Sequence, residues 1–328
     1  MKTGYKIYFI AIFLLAWTYN FYAQENFIIG EYRISKIVDG DTFKFDKLDK
    51  SARLVGVDAE ETFKDADAEA KSKELEVNWL DKYQTEKTKE KKPAKTNSPF
   101  GYQTWQWTKE LFKNVKSVRL EKDDDNRTLD IYGRYLVYVI AIRSDGTEFN
   151  YNLECVKQGY SPYFSKYGYS YRFDKEFREA EQYAVNTSLG IWGSGKYSYP
   201  DYAERVMWWG NRAESIKHFQ QSHSQDEDYF SFADGTNLNL LQNHVNDTIT
   251  VFGCSEEILT DHEPYIVKIK YNNEIGIDIV IFPEYASLLQ ETGIGDEKNY
   301  YLFIRGQLKT YNGKYEIILN DKSQVWQE

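Results

Sequence analysis

Two blocks of short segments rich in β-branched and aromatic residues constrain what this chain can fold into more than any other feature. Turn-forming residues bound these segments, and this pattern is typical of strands. The first block predicts strands at residues 28–38, 42–46, 52–57, 116–121 and 134–143. The second block predicts strands at residues 247–253, 265–271, 276–282, 300–307 and 314–319, with a helix at 283–290.

The length of 328 residues exceeds the size at which one hydrophobic core stops growing, so we expect two domains. The first spans residues 24–199 and the second residues 244–328. A helical and polar connector at 200–243 joins them, and its Trp208 and Trp209 are expected to pack onto one of the domains.

Helices complete the predicted fold. They are expected at residues 98–113, capped by Asn97 or Ser98, and at 150–158, 171–186 and 203–219. Five strands and three helices in this order predict a β-rich α+β fold. We expect a five-stranded OB-type barrel with capping helices, followed by a second OB-like β-barrel.

Three short segments of the first domain carry candidate chemistry. They are Asp39-Gly40-Asp41-Thr42, the stretch 53–61, and Tyr132-Gly133-Arg134. No His occurs in the first 200 residues, so any catalysis there must use carboxylates and guanidiniums. A hard metal ion, one carboxylate acting as a base and two arginines would together suit a phosphodiester transition state.

Each segment also has a structural interpretation. Asp-Gly is above all a turn signal, so Asp39 and Asp41 could simply close a hairpin. Arg53 is harder to explain in this way, because it precedes the apolar run 54–57, where a guanidinium is costly unless it is paired. The joint occurrence of all three segments favours a site.

The order and wording of these segments resemble the thermonuclease (staphylococcal-nuclease-like) family over residues 28–193. The resemblance continues through residues 152–160 and 179–193. It implies a Ca²⁺-dependent phosphodiesterase or endonuclease that cuts DNA and RNA on the 5′-oxygen side and leaves 3′-phosphates. The alternative is a non-catalytic module of two barrels that binds nucleic acid or protein.

The same resemblance assigns roles to individual residues. Asp41 and Asp58 would bind calcium together with the backbone carbonyl of Ala59. Asp39 would lie next to these ligands without binding the metal itself. Glu61 would orient or deprotonate the attacking water. Arg53 and Arg134 would hold the phosphate, and Tyr132 would stack on a base. The chain departs from the family pattern at Glu60, where many members carry Pro.

Residues 64–98 form a charged insertion relative to the family. The spacing of Leu75, Trp79 and Tyr83 predicts a helix over 63–83. We favour a solvated arm, because charge runs usually only solvate. The alternative is that its lysines contact substrate phosphates; they are Lys87, Lys89, Lys91, Lys92 and Lys95.

The second domain has seven Lys and Arg against fourteen Asp and Glu from residue 245 onward. Its Tyr271, Tyr311 and Tyr315 could bind a single strand by stacking. The acidity argues at least as strongly for an interaction module, so both roles stay open.

Residues 1–23 are interpreted as a signal peptide cleaved after Ala23. They contain Lys2 and Lys6, no acid, and an apolar core at 7–17. We therefore expect an exported protein, with an uncleaved anchor as the alternative. Cleavage leaves 39 basic against 51 acidic residues, a net charge of −12. Cys155 is expected as a buried thiol, although a bridge to Cys254 is feasible in an oxidising compartment.

Overall fold

The computed structural model describes residues 27–89, 93–125, 127–296 and 300–328. The expected signal peptide lies outside these residues. Within them, no helix combines the length and the apolar character needed to span a bilayer. Cys155 and Cys254 are both buried free thiols, so the two residues form no bridge.

Seven strands of the first half of the chain form one curved sheet. They are β1 (Ile28–Tyr32), β2 (Ile34–Ile37), β3 (Thr42–Phe45), β4 (Ala52–Leu54), β5 (Val115–Glu121), β6 (Tyr135–Arg143) and β7 (Glu148–Asn150). The strand order is β1-β5-β6-β4-β3-β2, and β7 pairs with β6. Among the described strands of this sheet, β4 and β6 alone pair in parallel, which places Arg53 opposite Leu136.

The sheet differs from the expected barrel in one respect. The predicted strand 28–38 is broken at Arg33, and its two parts, β1 and β2, pair with β5 and β3 at opposite ends of the sheet. No strand pairing closes the sheet among the described strands, so a closed barrel is not confirmed, although the strand order is consistent with the expected OB-like fold.

Helices cover this sheet and lead to the second half. They are α1 (Ala68–Leu75), α2 (Trp79–Lys89), α3 (Pro99–Leu111), α4 (Tyr151–Lys157), α5 (Asp174–Asn186), α6 (Tyr202–Ser222) and α7 (Leu288–Glu291). Ser98 caps α3 as predicted, because its Oγ accepts a hydrogen bond from Gly101 N at 2.8 Å. The residues of α4 and α5 pack onto the sheet through Tyr151, Val156 and Phe177.

The charged insertion folds as α1 and α2, not as one helix over 63–83. Leu75, Trp79 and Tyr83 are buried against Tyr199 and Tyr202. Trp79 Nε1 donates to the carbonyl of Ser198 at 3.0 Å, and Tyr83 Oη donates to Asp201 at 2.8 Å. The interpretation as a solvated arm is wrong for the described part, because its three aromatic and aliphatic positions form a buried seam. Lys91 and Lys92 lie outside the described residues.

The described residues of the second half form nine strands in two sheets. They are β8 (Tyr229–Ser231), β9 (Thr248–Gly253), β10 (Glu257–Leu259), β11 (Tyr265–Lys270), β12 (Gly276–Ile281), β13 (Leu302–Gln307), β14 (Lys309–Tyr311), β15 (Lys314–Ile318) and β16 (Val325–Trp326). One sheet has the order β10-β11-β12-β15-β14 and the other β16-β13-β9-β8. The predicted helix at 283–290 is a short 3-10 turn at Pro283–Tyr285 followed by α7.

The two sheets share one aliphatic core that includes Ile279, Ile304 and Ile317. A Cβ at Gly306 would lie 2.4 Å from Ile317 Cγ2, so only glycine lets the strands approach this closely. The described strands form two separate sheets, and the expected second barrel is not confirmed.

Helix α6 links the two halves. Near its start, Tyr202 joins the buried seam of the insertion. Trp209 meets Phe164 edge-on, with ring centroids 4.8 Å apart, and Phe219 stacks on Phe252 at 4.8 Å. The predicted packing of Trp209 is confirmed. The boundaries of the two domains stay predictions, and β8, inside the predicted connector, pairs with β9.

Candidate active site

The Asp-Gly turn between β2 and β3 places Asp41 against the loop that follows β4. Asp39 Oδ1 accepts a hydrogen bond from Asp41 N at 3.2 Å, which fixes the turn. A Cβ at Gly40 would lie 2.6 Å from Ala59 Cβ, so glycine is needed for the turn to pack here. The turn is therefore both the hairpin that its sequence signals and the support for a buried carboxylate.

Arg53, on β4, lies between two buried carboxylates. Its Nη1 pairs with Asp41 Oδ1, and its Nη2 lies 2.5 Å from Asp58 Oδ1. The guanidinium is 13% exposed and also faces the ring of Phe164, with Cζ 5.9 Å from the centroid. Burial opposes the charge on Arg53, but the two carboxylates outweigh it and raise its pKa.

The two carboxylates differ in how well their charges are balanced. Burial raises the pKa of Asp41 to about 7, and the neighbouring Asp39 and Asp58 act in the same direction against Arg53. Burial also opposes ionisation of Asp58, yet Lys95 and Arg53 outweigh it and lower its pKa to about 2. Asp58 is therefore held in its charged form, whereas burial disfavours the charged form of Asp41.

The loop after β4 aims its residues by backbone hydrogen bonds. Asp58 N donates to Ser161 Oγ at 2.8 Å, and Ala59 N donates to Asp41 Oδ2 at 2.9 Å. The backbone N of Glu61 donates to Tyr199 Oη at 3.4 Å, and its carbonyl accepts from Ser98 N at 3.0 Å. The carboxylate of Glu61 is 39% exposed, so it stands at the mouth of the site.

Glu60 turns away from this site into the protein. Its Oε1 accepts from Tyr199 N at 2.7 Å and from Tyr202 Oη at 2.8 Å, and its Oε2 accepts from Ser98 Oγ. Burial raises the pKa of Glu60 to about 7. The only signal in the sequence was the departure from Pro at this position. Glu60 ties the loop that bears Glu61 to the start of α3 and to the segment before α6.

Arg134 and Tyr132 lie on the opposite rim. Arg134 Nε donates to Asp130 Oδ2 at 2.7 Å, and its Nη1 donates to Thr42 Oγ1 at 3.5 Å. The side chain of Tyr132 is 76% exposed, and its ring lies 5.4 Å from Arg134 Cζ. Arg134 is thus held in place by one carboxylate while its outer nitrogens face the cleft.

Two lysines of the insertion region reach the carboxylates. Lys95 Nζ donates to Asp58 Oδ1 at 2.6 Å, and Lys64 Nζ lies 3.0 Å from Asp39 Oδ2. Lys95 belongs to the predicted lysine-rich tip, whereas Lys64 was not singled out in the sequence. By contrast, Lys87 pairs with Glu204, on α6, at 2.8 Å. The insertion therefore contributes cations to the site, although only one described lysine of the tip does so.

The residues expected to bind calcium fit a hard cation in part. Across the described residues, no group of three or more His, Cys, Asp and Glu side chains is placed to hold a metal ion. The carboxylates of Asp41 and Asp58 nevertheless both pair with Arg53, and the backbone N of Ala59 donates a hydrogen bond to Asp41. Two carboxylates and one carbonyl are oxygen ligands of the kind Ca²⁺ takes, with water supplying the remainder.

These residues open onto one cleft of about 680 Å³. Arg53, Asp58, Glu61, Tyr132 and Arg134 line it, and Asp41 meets it through Arg53. The structure thus brings the predicted base, both predicted phosphate ligands and a predicted metal ligand to one cavity. The cleft also extends to α6 and to the second half of the chain.

Comparison with known proteins identifies the first half of the chain. The profile of the staphylococcal nuclease homologue family matches residues 51–194. The thermonuclease of Staphylococcus intermedius is 30% identical over 201 residues, which cover 58% of this chain and 97% of the relative. The thermonuclease of Staphylococcus hyicus is 27% identical over 165 residues, or 50% of this chain and 76% of the relative.

An uncharacterized protein of Methanocaldococcus jannaschii is also similar, with 28% identity over 181 residues, or 54% of this chain and 79% of the relative. The family match includes Arg53, Asp58, Glu61 and Arg134, and it supports a nuclease-like function at the level of the family. Since a thermonuclease is matched along nearly its whole length, and the same residues meet in one cleft, this chain belongs to the staphylococcal nuclease homologue family.

Proposed function

We propose that this protein is an exported, calcium-dependent nuclease that hydrolyses phosphodiester bonds of DNA and RNA. The observation that carries the proposal is the cleft in which Glu61, Arg53 and Arg134 surround the Asp41–Asp58 pair. Calcium held by Asp41, Asp58 and the carbonyl of Ala59 would neutralise charge on the phosphate. All other chemistry falls to the protein's own side chains.

Glu61 is the proposed base. Its carboxylate is exposed at the cleft mouth and its backbone is fixed on both sides, so it can take a proton from water without moving the loop. The water oxygen forms a bond to phosphorus, the bond from phosphorus to the 5′-oxygen breaks, and the leaving oxygen takes a proton from solvent. A positioned base of this kind contributes about 10²–10⁴-fold to the rate.

Arg53 and Arg134 are the proposed ligands of the phosphate oxygens. Each guanidinium has five donors, so pairing with a carboxylate leaves further N–H groups for the phosphate. Their placement on one cleft allows two charge-assisted contacts as negative charge grows on phosphorus. Tyr132, exposed beside Arg134, is the proposed stacking surface for a base.

The test compares Glu61→Gln with Asp41→Asn on single- and double-stranded DNA and on RNA, in calcium and in chelator. Glu61→Gln should lower kcat by about 10²-fold or more at every calcium concentration, because the base is lost. Asp41→Asn should weaken calcium binding, so its activity should recover as calcium rises. Glu74→Gln, on the exposed face of α1, is the matched control.

Full activity of Glu61→Gln would contradict the mechanism, and failure of the unmodified protein to cut any substrate would contradict the proposed function. Retained binding without cleavage would support a binding module instead. Circular dichroism of each variant verifies that it is folded.

Export is the part of the proposal that rests on the sequence of residues 1–23. Two lysines before an apolar run of the length of a signal peptide support it. Expression in a bacterial host should give a processed protein whose N-terminus is Gln24 or a neighbouring residue. An intact Met1 on a protein retained inside the cell would contradict it.

A further inference from the structure

The cleft does not end at the family site. Beyond Arg53 and Arg134 it is also lined by Trp208, of α6, and by Lys270 and Tyr271, at the end of β11. These three residues follow residue 194, where the family match ends. One wall of the cavity therefore comes from parts of the chain that the family does not account for.

Cations and aromatic rings alternate along this part of the cleft. Arg127 Cζ lies 5.0 Å from the ring centroid of Tyr167, and Lys166 Nζ lies 5.1 Å from the same centroid. Lys166 Nζ also lies 5.0 Å from the ring centroid of Trp208. The row thus runs from Arg127 through Tyr167 and Lys166 to Trp208, and it leads from the first half of the chain to α6.

The second half faces this row. Burial raises the pKa of Tyr271, and the positive charge of Arg127 acts in the opposite direction, so the two side chains are within electrostatic reach. The ring of Tyr271 packs against Gly235, where a Cβ would lie 3.0 Å from its Oη. Lys270 is exposed, with Nζ 3.8 Å from Glu257. Neither Arg127 nor Lys166 forms an ion pair with a carboxylate in the described part of the chain.

Three of the acidic residues that line the cleft bind neighbouring groups of the protein. Asp123 accepts hydrogen bonds from Tyr138 Oη at 2.6 Å and from Tyr171 N at 3.0 Å. Asp130 holds Arg134, and Asp234 accepts from Gln220 at 2.9 Å. Asp124 and Glu256 also line the cleft, so the row places Arg127, Lys166 and Lys270 among carboxylates, in a protein whose net charge is −10. These three cations, next to aromatic rings, are the groups that would hold the phosphates of a strand.

On this basis we infer that the wall formed by Trp208, Lys270 and Tyr271, facing Lys166, binds a single-stranded stretch of nucleic acid next to the scissile phosphate. The inference rests on the proposed nuclease function for its orientation toward the site, but binding can be measured without cleavage. Single strands are held by positive grooves with aromatic surfaces, and the stacked bases of a duplex cannot reach the rings. The volume of about 680 Å³ lies within the usual range for ligand sites, about 300–1,000 Å³.

The sequence had favoured core packing for Trp208 and a choice of three tyrosines in the second half. Both tryptophans line the cleft, but Trp209 is buried, whereas Trp208 is only partly buried. Of the three tyrosines, Tyr271 lines the cleft, while Tyr311 is 66% exposed on the β14–β15 hairpin. The second half thus acts on the substrate through one edge, at the end of β11.

The experiment measures fluorescence anisotropy of a short fluorescein-labelled oligothymidylate in chelator, so that no cleavage occurs. The double variant Lys270→Glu with Tyr271→Leu should weaken binding about tenfold, since it removes a stacking surface and reverses a charge. The matched control is Lys314→Glu with Tyr311→Leu, which makes the same changes on the exposed hairpin and should stay within about twofold of the unmodified protein. Oligouridylate in place of oligothymidylate distinguishes RNA from DNA.

Two further variants and a competitor keep the inference open to refutation. Lys270→Glu alone, at an exposed position, and Lys166→Glu, on the facing wall, should each weaken binding if the double variant does not fold. A duplex of the same sequence should compete poorly with the single strand. Unchanged binding by the Lys270 and Lys166 variants, or equal competition by the duplex, would overturn the inference.

A small chromogenic thymidine phosphodiester separates this inference from the proposed function. It reaches the family site without spanning the wall, and it is assayed on the unmodified protein and on the hairpin control. If neither hydrolyses it while the cleft variants still lose binding of the single strand, the nuclease proposal fails and the binding site stands. If both hydrolyse it while the cleft variants bind normally, the nuclease proposal stands and this inference fails.

Discussion

The two halves of the molecule bury different kinds of side chain. The first half buries Asp39, Asp41 and Asp58 near Arg53, and Glu60 nearby, close to an aromatic and aliphatic core. The core of the second half consists mainly of Ile, Val and Leu side chains from both sheets. Burying charge is costly unless each group is paired, and such clusters are weak evidence for stability. The comparison indicates that the first half buries charged groups for its chemistry at a cost in stability, whereas the second half is stabilised mainly by apolar packing.

The largest expected effect tests the chemical side of this comparison. Arg134→Ala should lower kcat on single-stranded DNA by about 10²–10³-fold, because a donor to the transition state is removed. Arg178→Ala is the matched control, since both arginines pair with an aspartate four residues earlier in the chain, Asp130 and Asp174. Equal losses in the two variants, at unchanged circular dichroism, would show that the effect is not specific to the cleft.

A smaller effect is expected at Lys95, which binds Asp58 where a metal ion would compete with it. Lys95→Met should tighten calcium binding about two- to fivefold, the modest value of a partly exposed ion pair. Isothermal titration with calcium gives the measurement. Lys87→Met, in the same insertion but paired with Glu204, should leave calcium affinity unchanged. Weaker calcium binding in Lys95→Met would mean that this lysine supports the site instead of competing with the metal.

The packing side of the comparison is tested at Ile279, a buried residue of β12. Ile279→Val should lower the free energy of unfolding by about 0.5–1.5 kcal/mol, because it removes a buried methyl group and leaves a small cavity. Urea denaturation measures this, and Ile28→Val, at a largely exposed position of β1, is the control. We expect the cleavage of the small phosphodiester to remain when the protein is folded. A loss of cleavage as large as that of Arg134→Ala would erase the distinction between the halves.

The smallest expected effect is a pH dependence of stability at His223, which directly follows α6, the helix that links the two halves. Burial alone would lower the pKa of His223, but its hydrogen bonds to Glu328 and Asp226, each 2.9 Å long, outweigh this and raise it. A raised pKa stabilises the fold fully below the ordinary value of about 6.5, and this contribution is lost as pH rises through the folded pKa.

Thermal unfolding should therefore show a small loss of stability, within about 1 kcal/mol, as pH rises above about 6.5 and through the raised pKa of His223 in the folded protein. His223→Phe keeps a ring to stack on Tyr229 but cannot titrate, so this dependence should flatten. His218→Asn, the other histidine at Glu328, is the control. An unchanged pH profile in His223→Phe would assign the dependence to other groups.

Local patterns were sufficient for much of the fold. Ser98 caps α3, the segments around residues 43, 118 and 139 are strands, and Trp209 is buried. These features depend on neighbours within a few residues, such as alternation of apolar side chains or a cap beside a helix. The same is true of the three motif segments, whose residue types were recognisable without coordinates.

The tertiary structure alone decided how distant parts meet. The break at Arg33 lets two adjacent segments of the chain pair at opposite ends of the sheet. Glu60 binds Tyr199 and Tyr202 across a separation of about 140 residues in the chain. The insertion packs through Trp79 and Tyr83, although its composition favoured a solvated arm.

The cleft shows the same limit most clearly. By itself, the sequence determined which side chains could bind a phosphate. The structure decided that Lys166 lies between Tyr167 and Trp208, in the cleft that Tyr271 also lines. No local pattern encodes such a meeting, because it depends on how α6 docks two separately formed cores. Short-range preferences act within a few residues, whereas contacts such as that of Phe219 with Phe252 join residues that are far apart in the chain and depend on the burial of apolar surface.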